Sequence, residues 1–219
     1  MSEIFGPTLQ GEGIHSGRRA IFIRMLGCDS RCKWCDTAYA KTTDGPGFML
    51  TTEDIIAKIK DLKACSLAVL TGGNPAIHDL GHLCSQLKRR RMEIHIETQG
   101  TVIPHWFDRA DLITICPKIH APTDIPRVYG AIRKIRDMAP IQLKYVIFTE
   151  GDIELARDMA RTWPDVPMTL QPGWDPETKE YPFGLVALAE RVAGDPFMPP
   201  NVRFLPQLHR ILWGERREV

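Results

Sequence analysis

Three of the six cysteines stand within eight residues, in Cys28-Asp-Ser-Arg-Cys32-Lys-Trp-Cys35. Thiolates so clustered bind soft metals, and clustered cysteines in a chain of this size point to metal or catalysis rather than to a disulfide framework. A structural zinc site is normally closed by four ligands, and no fourth cysteine or histidine lies at a paired spacing. His15 and His120 are remote in sequence. An iron–sulfur cubane with three protein ligands instead leaves one iron open to an exogenous ligand. The missing fourth ligand favours the cluster, with zinc completed by a distant histidine and free thiols as the alternatives. Cys65, Cys84 and Cys116 are scattered and read as packing residues, as free cysteines often are.

The elements that must position these thiols are legible as alternating strand and helix patterns. Strands are expected at Ala20 to Met25, Leu67 to Leu70, Met92 to Glu97, Leu112 to Ile115, Leu143 to Phe148, Pro167 to Gln171 and Val202 to Leu205. Thr51 and Asp54 fit a capping box, followed by Ile55, Ile56, Ile59 and Leu62 on one helical face. Leu80, Leu83, Cys84 and Leu87 form a second stripe, closed by the cations Lys88 to Arg91. Two more helices are expected over Asp152 to Thr162 and Leu185 to Val192. The alternation implies an α/β fold with a parallel sheet. The cysteine loop would then leave the carboxyl end of the first strand, where such folds keep their chemistry. The Pro- and Gly-rich stretches Asp44 to Gly47, Gln171 to Pro176 and Asp195 to Pro200 read as loops on one scaffold.

Bulk properties exclude several classes. With 28 Lys plus Arg against 27 Asp plus Glu the net charge is +1, which gives no electrostatic footprint for nucleic acid or an anionic membrane. A hydrophobic share of 43% over 219 residues supports one real core, and a single domain over 1–219 is expected. No apolar run approaches the ~20 residues of a membrane helix, and the amino-terminal residues lack signal-peptide character. A cytoplasmic protein is expected.

The order Cys-x3-Cys-x-aromatic-Cys, with Trp34 as the aromatic, resembles the signature of radical S-adenosylmethionine (SAM) enzymes. Gly72 and Gly73 after the next strand are similar to that superfamily's SAM-binding glycine motif. The resemblance narrows to the 7-carboxy-7-deazaguanine synthases. It is carried by Glu3-Ile4-Phe5, Thr8-Leu9-Gln10-Gly11-Glu12-Gly13, Phe22-Ile23-Arg24, Cys35-Asp36-Thr37, Glu97 to Thr101, Pro117-Lys118, Leu170-Gln171-Pro172 and Gln207-Leu208-His209-Arg210. What the resemblance implies is an incomplete (β/α) barrel, a homodimer, a 4Fe-4S cluster, SAM, Mg²⁺ and an external, flavodoxin-like electron donor. The implied reaction converts 6-carboxy-5,6,7,8-tetrahydropterin to 7-carboxy-7-deazaguanine with loss of ammonia, in queuosine or deazapurine biosynthesis.

The resemblance also assigns roles. Cys28, Cys32 and Cys35 would ligate the cluster; Leu9, Gln10, Gly11, Glu12, Arg24, Thr71, His209 and the end at Val219 would bind substrate. Trp34, Asp36, Gly73, Asn74, Thr98, Cys116, Pro117, Lys118, Gln171, Pro172, Gly173 and Trp174 would face SAM, and Thr37 would ligate Mg²⁺. No side chain is assigned as an acid or base, since the cofactor carries the reactivity. Plainer readings stand beside these: an interior salt bridge for Arg24, a surface turn for residues 9–12, a helix cap for Thr37, a solvated lysine for Lys118 and a core or interface histidine for His209. Two departures are visible, Asn74 where the superfamily motif has Glu and Cys116 where the family tends to have Ser. Loss of a carboxylate near an ammonium predicts that Asn74→Glu tightens SAM binding. The rivals are another radical SAM enzyme, an activase or peptide maturase, and a non-catalytic zinc module.

Overall fold

The computed structural model describes residues 1–42, 47–119 and 124–219; His120 and most of the Asp44–Gly47 loop lie outside them. Eight strands form one sheet in sequence order: β1 (Glu3–Leu9), β2 (Arg19–Met25), β3 (Leu67–Gly72), β4 (Glu93–Thr98), β5 (Leu112–Ile115), β6 (Ile141–Ile147), β7 (Met168–Pro172) and β8 (Val202–Phe204). β2 to β8 are parallel and β1 is antiparallel to β2. β1 and β8 are the edges of this sheet, so the barrel stays open. The helices are α1 (Thr52–Asp61), α2 (Gly81–Arg89), α3 (Ile125–Arg136), α4 (Glu150–Thr162), α5 (Leu185–Gly194) and α6 (Leu208–Trp213).

Strand alternation sorts the residues onto two faces. One face presents Ile21, Ile23, Leu70, Ile94, Ile96, Ile113, Leu143 and Leu170, all 0–1% exposed, to a core completed by Leu83 and Leu87 of α2, Ile132 and Ile135 of α3 and Ile153 of α4. Burial of each such side chain is worth roughly 1.5–3 kcal/mol. On the other face Phe5, Ala20, Phe22, Leu67 and Val69 of β1 to β3 make a small second cluster. Along β4 to β7 that face carries Glu93, His95, Glu97, Thr114, Gln142, Lys144, Thr169 and Gln171. A row of buried and half-buried polar groups must find partners, and much of that row faces the site.

Both ends of the inferred helix grammar are present. Thr51 Oγ1 accepts from Asp54 N at 3.1 Å while Asp54 Oδ2 accepts from Thr51 N at 2.9 Å, the capping box read from the sequence. A second box, Thr149 with Asp152, starts α4 two residues before the expected position. Three elements escape the sequence pattern. β1 is interrupted by a register shift between Phe5 and Thr8, around Gly6-Pro7, and proline is tolerated there because the strand is an edge. α3 carries Pro126 in its first turn and Gly130 in its interior, which dilute a real stripe of Val128, Ile132 and Ile135. α6 buries no residue and so has no stripe to read.

The segment between β1 and β2 fills the amino-terminal end of the barrel. Ile14 N donates to Gln142 Oε1 at 2.8 Å, and His15 stacks on His95 at 4.7 Å between ring centres. Arg18 grips both Glu93 oxygens, at 2.8 and 2.5 Å, and His95 Nε2 bonds to Glu93 Oε1 at 2.7 Å. Arg18 holds the Glu93 carboxyl down to about 2, whereas burial lowers both histidines. Each folded value lies below its unfolded counterpart, so below pH 6.5 the unfolded chain takes up protons that the native histidines refuse. Glu93 adds a further loss as pH falls from 4.5 towards 2. The melting temperature should therefore decline from about pH 6.5 downwards, and His95→Gln should flatten the upper part of that decline. Melting curves from pH 8 to 4 measure both; an unchanged slope in the variant contradicts the assignment.

Candidate active site around the cysteine loop

The cysteine loop leaves the carboxyl end of β2 and is tied at its root: Gly27 N donates to Ala40 O and Cys28 N to Lys41 O, each at 2.9 Å. Lys41 Nζ returns to the Cys32 carbonyl. The glycine pair at the end of β3 presses on this root. Gly73 N donates to Met25 O at 3.2 Å and Asn74 N to Gly27 O at 2.8 Å. A Cβ on Gly72, whose φ is +128°, would lie 2.2 Å from Met25 O, and one on Gly73 2.0 Å from Gly27 O. Close backbone approach is thus the local reason for both glycines. Gly72→Ala should cost about 1–3 kcal/mol, read as a lower urea midpoint with an unchanged slope; wild-type stability would contradict the packing argument.

Cys28, Cys32 and Cys35 are free thiols that line one cavity of about 280 Å³. Burial pushes the Cys32 thiol up against the pull of Lys118, and burial with the Asp36 charge does the same to Cys35. A bound metal reverses that balance by taking the thiolate outright. Among the described residues the one trio of metal-ligating atoms within 4.8 Å of each other is His15, Glu93 and His95. At least one pair of the three sulfurs is therefore more than 4.8 Å apart, wider than thiolates on a single tetrahedral zinc, which stand about 3.8 Å apart for bonds of ~2.3 Å. A polynuclear cluster suits that spread. The His15 trio is itself closed by the Arg18 clamp, which places His15 in the polar plug and not beside the cysteines.

Opposite the thiols the cavity is built from charged and amide side chains. Glu12 is paired with Lys144 and also accepts from Gln171 Nε2 at 3.1 Å and Gln207 Nε2 at 2.8 Å. Burial alone would raise the Glu12 carboxyl, but Lys144 and His209 hold it well below the ordinary range. Burial likewise opposes the Lys144 charge and is overcome by Glu12 and Glu97, so the pair stays ionised. Glu97 accepts from Thr71 Oγ1 at 2.7 Å and Gln10 Nε2 at 3.1 Å. The carboxyl-terminal segment docks on the same ground: Leu208 N donates to Gly11 O at 2.9 Å, and a Cβ on Gly11 would lie 2.2 Å from His209 Nδ1. Gln207 also donates to Asp36 Oδ2 at 3.1 Å, joining the end of the chain to the cysteine loop. Buried Gln171 Oε1, Gln207 Oε1 and Trp174 Nε1 have no hydrogen-bond partner within the protein. Unsatisfied buried polar atoms on a cavity wall fit a polar ligand.

The structure gathers nearly all the sequence-selected residues around this one cavity: the three cysteines, Leu9, Gln10, Gly11, Glu12, Arg24, Trp34, Asp36, Thr37, Thr71, Gly73, Thr98, Cys116, Lys118, Gln171, Pro172, Trp174, His209 and Val219. Asn74, Pro117 and Gly173 are not on it. Asn74 is fully buried, Pro117 is buried, and Gly173 packs so tightly on Phe148 that a Cβ would meet the ring at 2.4 Å. Arg24 does make the interior salt bridge, Nε to Glu3 Oε2 at 3.0 Å, while lining the cavity. Thr37 sits at a cap position, yet its hydroxyl donates to Asp36 Oδ1 at 2.9 Å and caps no helix. Lys118 is tucked 4.6 Å over the Trp34 ring, with its ammonium 3.1 Å from Cys116 Sγ. Glu97, Gln99, Lys144 and Gln207 also line the cavity, and the sequence reading gives them no role. A lone lysine inside the apolar strand β6 is the signal that would have found Lys144.

A model of the radical SAM superfamily matches residues 22–114, which contain the cysteine loop, β3 and β4. The 7-carboxy-7-deazaguanine synthase of Bacillus subtilis strain 168 is 36% identical, the match covering 99% of this chain and 97% of the relative. That of Thermoplasma acidophilum is 27% identical over 98% of this chain and 97% of its own. Among solved structures, QueE from Escherichia coli superposes with a TM-score of 0.68 at 26% identity, covering 95% of this chain and 93% of that one. Near-complete coverage in both directions, with the cysteines, glycines and polar wall in one cavity, means that this chain belongs to the 7-carboxy-7-deazaguanine synthase family of radical SAM enzymes.

Proposed function

We propose that this chain, acting as a single domain over residues 1–219, converts 6-carboxy-5,6,7,8-tetrahydropterin to 7-carboxy-7-deazaguanine with loss of ammonia, in deazapurine biosynthesis. The observation that carries the reading is the convergence of three free thiols and a buried polar wall on one cavity. A 4Fe-4S cluster on Cys28, Cys32 and Cys35, with SAM at its open iron, would supply the radical chemistry. The protein's own groups bind, orient and exclude water.

Glu97, Gln10 and Thr71 present a carboxylate, an amide and a hydroxyl that match the donor and acceptor edge of a pyrimidinone ring. Glu12 and Lys144 fix opposite charges on the same cavity, and Arg24 would offer a guanidinium to the substrate carboxylate. Trp34, Gly73, Thr98, Lys118, Gln171 and Trp174 form the side of the cavity proposed for SAM. Thr37 and Asp36 offer the oxygen donors that Mg²⁺ prefers. The residues from Gly214 to Val219 reach over the cavity, anchored by Arg217 on Glu3 and by its guanidinium 3.9 Å over the Tyr39 ring.

Among the described residues no helix is long and apolar enough to cross a membrane; a cytoplasmic location is part of the proposal. A homodimer and a flavodoxin-like electron donor are further parts of the proposal. The test is anaerobically reconstituted protein with SAM, a reductant, Mg²⁺ and the carboxypterin, read by mass spectrometry. The deazaguanine carboxylate is expected. Formation of 5′-deoxyadenosine without it would keep the radical SAM class and refute the substrate.

A further inference from the structure

Asn74 faces the cysteine loop and not the cavity. Its amide donates to Asp29 Oδ1 at 2.9 Å and Thr101 Oγ1 at 3.2 Å, and its Oδ1 accepts from Thr98 Oγ1 at 2.9 Å and Ala76 N at 3.2 Å. Two donors and two acceptor positions exhaust an asparagine side chain, and this one is fully buried. It has nothing left to offer a ligand. The same Asp29 oxygen also accepts from Gln99 Nε2 at 2.8 Å, and that nitrogen lies 3.3 Å from Cys28 Sγ. Asp29 follows Cys28 directly, so whatever holds Asp29 holds the first cluster thiol.

We propose that Asn74, Asp29 and Gln99 form a clasp that fixes the cysteine loop at Cys28 and aims the Gln99 amide at its sulfur. Position 74 thus acts on the cluster through the loop and makes no contact with SAM. The inference rests on the cluster reading above. Hydrogen bonds to cluster sulfurs and supports behind metal ligands both tune such centres. The expectation drawn from the sequence alone, that glutamate at 74 helps, is reversed. Asn74→Glu would place a second carboxylate against Asp29 and remove the donor to it. A second change, Asp29→Asn, would relieve the conflict: the new amide nitrogen can donate to the carboxylate introduced at position 74 while the amide oxygen still accepts from Gln99.

Wild type, Asn74→Glu, the double variant Asp29→Asn with Asn74→Glu, and Gln99→Leu are reconstituted anaerobically with iron and sulfide. Without substrate, iron content and the rate of iron loss to a ferrous chelator are then followed. Asn74→Glu should lose iron about tenfold faster or more, the double variant should regain most of the retention, and Gln99→Leu should lose iron several-fold faster. Wild-type retention in Asn74→Glu, or a double variant no better than the single, overturns the clasp alone. If Asn74→Glu does not melt cooperatively, Gln99→Leu decides, and wild-type retention there overturns the proposal. A wild-type chain that takes up no iron overturns the functional reading together with it.

Discussion

Cys32→Ala is expected to lose the cluster and the reaction together: iron content falling from about four per chain towards zero, and both deoxyadenosine and deazaguanine below detection. The expectation follows from ligand arithmetic. On the proposed assignment, with three protein ligands and one open iron, no spare thiol stands ready to replace a lost one. Cys116 is the remaining cysteine on the cavity wall, and its sulfur is held 3.1 Å from the Lys118 ammonium. The contrast is Cys84, on the buried face of α2, where burial pushes the thiol up to about 12. Cys84→Ala should cost about 1 kcal/mol of stability while keeping iron and turnover. Iron retained in Cys32→Ala, or lost in Cys84→Ala, would refute the assignment of the centre.

Much of this arrangement is legible in the sequence because it is local. The spacing of the three cysteines, the capping box at Thr51 and the β-branched runs of β2 to β6 are each written in a few adjacent residues, and the structure follows them to within a residue or two. What escapes is non-local. Lys144 in the middle of β6 reads as a stray charge until the fold sets it against Glu12, 132 residues away in sequence. Asn74 reads as a weakened copy of a glutamate until Asp29 appears beside it, 45 residues earlier in the chain. β1 is hidden by Gly6-Pro7, whose interruption an edge strand tolerates and a central strand would not. The helix α3 is hidden because Pro126 and Gly130 lower local propensity, which the burial of Ile132 and Ile135 then overrides. Local patterns specify the scaffold and the motif; pairs across the barrel decide what each polar side chain does.

Lys144 supplies the second large effect. Lys144→Met keeps the volume and removes the cation, leaving the Glu12 carboxylate buried with only the amide donors Gln171 and Gln207 and the more distant His209. Breaking a buried pair from one side typically costs about 3–5 kcal/mol, expected here as a lower urea midpoint at neutral pH. The pH dependence separates this cause from simple mispacking. In the wild type the folded carboxyl is depressed, so its contribution is present above the unfolded value of 4.5 and is lost as pH falls. Without Lys144, burial is the dominant influence and raises the folded carboxyl above 4.5. The variant is then penalised increasingly as pH rises through that interval, and its deficit should be clearly smaller at pH 5 than at pH 8. Adding Glu12→Gln removes the uncompensated charge and should recover much of the loss at pH 8 while flattening the difference between the two pH values. A deficit equal at both, or a double variant less stable than Lys144→Met, would show that Lys144 matters for its packing and not for its charge.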